Sequence, residues 1–140
     1  MERRRLIVLA AVLTVILGVA VLTQVTIKPA PAQMMGPVKM TGKIVEKTIA
    51  EFKDLNLPGI KNVKYVSFSA AANAKVENLE FDHVELCTTG RGTVVVTLAD
   101  GQKVTHKAGD VFVVPMGLKT KTIAFPVAYQ ENHWQIFPAK

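Results

Sequence analysis

His83, Glu85 and Cys87 stand at alternating positions in "FDHVELCTTG" and could do chemistry together. On a β-strand they share one face, because successive side chains point to opposite sides. A carboxylate beside an imidazole sets its tautomer and raises its pKa, which suits proton transfer near neutral pH. With a fourth group such as Glu77 or His106, the same trio would ligate zinc or another borderline metal. The plainer alternative is a solvated face, with His83 and Glu85 as surface residues and Cys87 packed at a strand end. His106 in "KVTHKAG" reads first as a surface strand residue. His133 in "ENHWQIF" stands beside Trp134, which reads as a core aromatic rather than a stacking platform. Cys87 is the only cysteine, so no intramolecular disulfide forms, and no motif orients it as a nucleophile.

The elements that must position these residues read as short strands. β-branched and aromatic residues alternate with polar ones in "VKYVSFSA", "KVENLEFDHVELCTT", "GTVVVTLADGQKVTHKAGDVFVVPMG", "KTKTIAF" and "WQIF". Asp100-Gly101 and Gly109-Asp110 mark tight turns. "KIVEKTIAEFKDLNLPG" reads two ways. Val45, Ile49 and Phe52 have helical spacing, while Lys43 to Ile49 also reads as a leading strand; Pro58-Gly59 ends either one. Strands at this spacing without intervening helices indicate an antiparallel sandwich or barrel. Phosphate-loop, Cys-x-x-Cys, His-Glu-x-x-His and Gly-x-Ser-x-Gly motifs are all missing from the sequence.

The chain begins with a basic patch, Arg3 to Arg5, and an uncharged apolar run of 18 residues from Leu6 to Thr23. A secretory core segment has roughly 7–15 such residues, and a membrane-spanning helix roughly 20. Ala30 and Ala32 offer small-residue spacing for cleavage before Gln33. Residues 1–32 therefore read as a signal peptide or an N-terminal membrane anchor, with the rest exported to the periplasm or the outer side of the inner membrane. Residues 24–42 are broken by prolines and glycines and read as a tether. Met34, Met35 and Met40 offer soft donors for copper, but methionines in an irregular linker are ordinary. The first 32 residues carry +3 of the formal +6 charge. The remaining basic residues are dispersed and lack interleaved aromatics, which argues against nucleic-acid binding.

From Gly90 to Gly117 the chain shows a Gly-x-Gly turn, a hairpin, and Gly109, five residues, Pro115, one residue, Gly117. This stretch resembles the centre of the cupin superfamily, RmlC-like jelly-roll domains built as a double-stranded β-helix. The similarity extends more faintly over residues 57–138 and is strongest to the branch typified by the ureidoglycine aminohydrolase cupin domain. Family members usually hold Fe, Mn, Zn or Ni inside the barrel with three histidines and a glutamate. If Gly90 ends the first motif, as the "GRGT" pattern favours, the glutamate position is His83 and the paired histidines fall on Glu77 and Leu79, or on Val76 and Asn78. If Gly92 ends it, the glutamate is Glu85 and the histidine positions are Leu79 and Phe81. The last histidine position is Thr120 either way. The resemblance implies that His83, Glu85 and Cys87 face inward, with Val84 and Leu86 outward.

The sequence thus predicts an all-β jelly-roll barrel preceded by an N-terminal hydrophobic helix: leader 1–32, linker and leading segment 33–56, cupin domain 57–140. The expected function is a barrel that binds a small-molecule ligand or a protein partner, with His83, Glu85, Cys87 and Thr120 as cavity residues and no metal cofactor. A homodimer fits the resemblance. The alternative is a metal-dependent isomerase, oxygenase or C–N hydrolase with a divalent metal on His83, Glu85 and Glu77. A third reading, an assembly module pairing through sheet edges, predicts a filled barrel and an apolar outer face.

Overall fold

The structure, a computed structural model, describes residues 35–140, so the expected leader and its hydrophobic helix lie outside the described residues. Ten antiparallel strands form two five-stranded sheets, and no helix occurs among the described residues. One sheet orders β1 (Lys39–Thr41), β4 (Ala74–Glu77), β9 (Thr120–Phe125), β6 (Thr93–Leu98) and β7 (Lys103–Lys107). The other orders β2 (Ile44–Leu57), β3 (Ile60–Ala70), β10 (Tyr129–Pro138), β5 (Val84–Arg91) and β8 (Val111–Val114). Strands adjacent in space are often distant in sequence, as a jelly roll requires.

Of the two readings of "KIVEKTIAEFKDLNL", the strand is adopted. Ile44–Leu57 pairs antiparallel with β3, with register shifts between Thr48 and Ala50 and between Lys53 and Leu57, and this backbone pairing overrides the helical spacing of three apolar side chains. The long alternating run from Lys75 to Thr89 is not one strand. It breaks after Glu77, where Asn78 adopts φ +59°, a left-handed conformation that asparagine tolerates. A loop held by the Glu80–Lys119 bridge then leads to His83, just before β5. The Asp100-Gly101 turn forms as expected, with the Asp100 side chain accepting a bond from the Gln102 N–H at 2.9 Å.

The compact core is small. Ala70, Ala74, Val94, Phe125 and Tyr129 pack together, with Ile44, Phe68, Val96 and Ile123 against them. Trp134 is not a core aromatic. It lies on the outer face of its sheet, 37% exposed, 4.6 Å from the Tyr65 ring and 6.4 Å from Phe52 between centroids. The register aligns Val113, Leu86, Trp134 and Tyr65 across that face. Apolar side chains therefore gather on the outside of this sheet, while its β5–β10 strand pair turns polar ones inward.

Candidate functional site

β5 and β10 are neighbours, and their register places Cys87 opposite His133, Glu85 opposite Gln135, and Thr89 opposite Glu131. The alternation that sends Leu86 and Trp134 outward sends Glu85, Cys87, Thr89, Tyr129, Glu131, His133 and Gln135 inward. Two rows of polar side chains thus face each other across one strand pair. They border a half-open cavity of about 460 Å³, whose remaining walls are phenylalanines and aliphatic side chains together with Glu46, Glu80, Asp82 and His83. A second depression of about 220 Å³, near Lys43, Ser69 and Arg91, shares only Tyr129 with this set.

The inward groups bond to one another. His83 Nε2 lies 2.8 Å from Glu85 Oε1, and its Nδ1 lies 2.6 Å from Asp82 Oδ1. Both acceptors are carboxylates, so a ring making both bonds donates from both nitrogens and is an imidazolium. Burial alone would depress its pKa, but the bonds to Glu85 and Asp82 and their charges outweigh burial and raise it. His133 is 2% exposed. Its Nδ1 lies 3.0 Å from Glu131 Oε1 and its Nε2 lies 3.1 Å from the Gln135 amide nitrogen. Neutral His133 satisfies both contacts by donating from Nδ1 and accepting at Nε2. Burial again opposes charge, and the Glu131 bond with the Glu85, Glu131 and Glu46 charges raises the pKa. Tyr129 donates its hydroxyl to Glu131 Oε2 at 2.6 Å, and its oxygen lies 3.0 Å from the Thr89 hydroxyl. The Cys87 thiol donates to Glu85 Oε2 at 3.7 Å. Burial and then the charges of Glu131 and Glu85 push its pKa up, so it is held as an unreactive thiol rather than a nucleophile. Among the described residues no buried side-chain polar atom lacks a partner.

Three of the sequence candidates, His83, Glu85 and Cys87, meet in this cavity. Thr120 is fully buried but does not line it, and its hydroxyl donates to the Leu79 carbonyl at 3.0 Å. Glu77 pairs with Lys75 at 3.2 Å outside the cavity. His106 stacks on Phe112 with centroids 3.6 Å apart, and burial lowers its pKa. Sequence reasoning missed Tyr129, Glu131 and Gln135 and discounted His133. The signal was present: Tyr129, Glu131, His133, Gln135 and Phe137 alternate, in the opposite phase to Trp134 and Ile136.

Three of the ligand positions that the cupin resemblance implies, Glu77, Leu79 and Thr120, do not fit a metal here. Leu79 is apolar, the Thr120 hydroxyl is used on Leu79, and Glu77 is directed to Lys75. Farther along β5, and on β10, Glu85, Cys87, Glu131 and His133 each place one donor atom within 4.8 Å of the others. That sulfur, nitrogen and oxygen set has the chemistry of a zinc-type site.

Residues 76–129 match the family described as EutQ-like cupin domain. The described residues have a cupin-like fold. The fold is shared with a cupin superfamily protein of Desulfitobacterium hafniense, at 23% identity and TM-score 0.53, covering 68% of this chain and 78% of that one. It is also shared with ethanolamine utilization protein Q of Salmonella typhimurium, at 16% identity and TM-score 0.53, covering 69% and 71%. An RmlC-like cupin of Shewanella frigidimarina aligns at 15% identity and TM-score 0.51, over 79% and 90%. No curated protein matches the sequence.

The histidines of this domain make stability depend on pH. His83 and His133 have folded-state values above the ordinary 6.5, so the folded state binds more protons than the unfolded chain above that pH. Their contribution is complete below 6.5 and is lost as pH rises through the raised values. Cys87 adds a loss of the same sign above its ordinary 9.0, and His106, lowered, destabilises in the opposite sense as pH falls below 6.5. Denaturant midpoints measured across pH are expected to fall on the alkaline side of 6.5. His133→Gln is expected to flatten that slope; a slope unchanged in the variant would show that His133 does not titrate there.

Proposed function

We propose that this cupin binds a small organic molecule in its barrel, on the far side of a membrane from the cytoplasm. Export is inferred from Arg3 to Arg5 followed by the apolar run to Thr23, with the leader either cleaved or kept as an anchor. The observation that carries the binding reading is the cavity of about 460 Å³, with aromatic and aliphatic walls and a polar strip on β5 and β10. Concave sites with mostly apolar walls and a few placed polar groups are where small ligands bind. A pure assembly module would have filled this space. Binding is favoured over turnover because the family's metal positions hold Leu79 and Thr120, and the inward acids and imidazoles bond to one another. The test is the mass of what the full chain carries, compared with Val96→Trp, which places an indole in the cavity.

One observation favours a second reading. The Glu85, Cys87, Glu131 and His133 cluster could hold a divalent metal in a rearranged site. Such a site would support isomerisation, oxygenation, or C–N hydrolysis of the kind implied by the aminohydrolase branch. His83 and Glu85 would then move the proton between His83 Nε2 and substrate. A transition metal bound at one per chain and lost in Cys87→Ser would establish it.

A further inference from the structure

We infer that the ligand of this barrel is a small organic cation, an ammonium or amidinium group carried on an apolar body about the size of one ring. This rests on the binding reading above and narrows it. Among the described residues the lining takes Glu46, Glu80, Asp82, Glu85 and Glu131, yet no lysine or arginine. Outside the leader the chain holds ten acidic and thirteen basic residues, so half of its acids and none of its Lys or Arg side chains surround one cavity. Of these five acids Glu46, Glu80 and Asp82 are exposed, while Glu85 and Glu131 are largely withdrawn from solvent.

Some of that charge is already matched. His83 faces Glu85 and Asp82, His133 faces Glu131, and Lys119 reaches Glu80 at 4.0 Å from outside the cavity. Even with both imidazoles protonated, the carboxylates outnumber the cations that reach them. Each carboxylate also keeps acceptor capacity, since its two oxygens offer about four lone-pair sites. Glu46 stands exposed on β2 at the cavity's edge and meets only the Gln135 amide at 3.4 Å.

The walls decide between kinds of cation. Five of the chain's six phenylalanines, Phe68, Phe81, Phe112, Phe125 and Phe137, line this cavity. Aromatic ring faces attract a desolvated cation, as Phe137 does for the Lys64 ammonium 5.2 Å from its centroid, and bury an apolar body, whereas a hydrated metal ion gains little from them. An organic anion would meet uncompensated carboxylates, and a neutral apolar molecule would bury them without a partner.

The experiment titrates the full chain, in mild detergent, with 2-phenylethylammonium, 2-phenylethanol and phenylacetate, which share one shape and differ in charge. The ammonium is expected to bind about tenfold tighter than the alcohol, the span of a desolvated cation–aromatic contact, and phenylacetate not to bind. Glu46→Gln, at an exposed position, and Glu131→Gln are each expected to weaken the ammonium more than the alcohol and so shrink the preference. Equal or tighter binding of the alcohol or phenylacetate would overturn the cation inference while leaving the small-molecule barrel intact. Failure of all three to bind would overturn it, as would saturation by zinc alone that the ammonium cannot displace.

Discussion

Gly92→Ala is expected to destabilise the domain by about 3 kcal/mol or more, whereas Gly101→Ala loses only the roughly 1–2 kcal/mol of left-handed backbone strain. Both glycines have positive φ, +83° and +91°. They differ in their surroundings. A Cβ on Gly92 would sit 2.2 Å from the Ala128 carbonyl oxygen and 3.1 Å from the Tyr129 Cα, while one on Gly101 would meet nothing within 4 Å. The obstacle at Gly92 is backbone, so relieving it displaces the start of β10, the strand that carries Tyr129, Glu131 and His133. Equilibrium denaturation of the two variants side by side checks this. Equal losses would mean that β10 yields freely at its first residue.

Glu131→Ala is expected to lower stability by about 3 kcal/mol, the low end of the range for removing one partner of a buried ion pair. Two donors lose their acceptor at once, the Tyr129 hydroxyl and the His133 Nδ1–H. The low end applies because the cavity is half open and water reaches part of the vacated space. Glu131→Gln keeps one acceptor oxygen and is expected to lose about 1 kcal/mol, the value of one ordinary hydrogen bond. Removing Glu131 also takes away the bond that most raises the His133 pKa, so the alkaline slope of stability should shrink with it. An alanine variant as stable as the glutamine one would show that Glu131 holds neither partner.

The turns were legible because their chemistry is local. Asp100-Gly101 is needed by backbone conformation alone, and with Gly92, Gly109, Pro115 and Gly117 it carried the resemblance to the jelly roll. The face shared by Glu85 and Cys87 was legible for the same reason, since alternation within one strand needs no tertiary knowledge. The β10 half of the site was not. Hydrophobic patterning assumes that apolar side chains point inward, which would have put Trp134 and Ile136 in the core and Glu131 and His133 in water. Here the inside of the sheet borders a cavity with polar groups, and the outside gathers Phe52, Tyr65, Leu86, Val113 and Trp134, so the assumption inverts. Thr120 was misplaced because the sequence could not show that the loop after β4 would offer it the Leu79 carbonyl. The break at Asn78 is equally invisible to a period-two pattern, since the alternation continues through it.

The central claim, that the barrel is a binding site for a small organic molecule, is tested most directly by native mass spectrometry of the full chain released gently from detergent. The account predicts an adduct of organic mass, approaching one per chain, that disappears in Val96→Trp while Cys87→Ser retains it. A bare chain in every preparation, or an adduct with the mass of a transition-metal ion that Cys87→Ser abolishes, would contradict it.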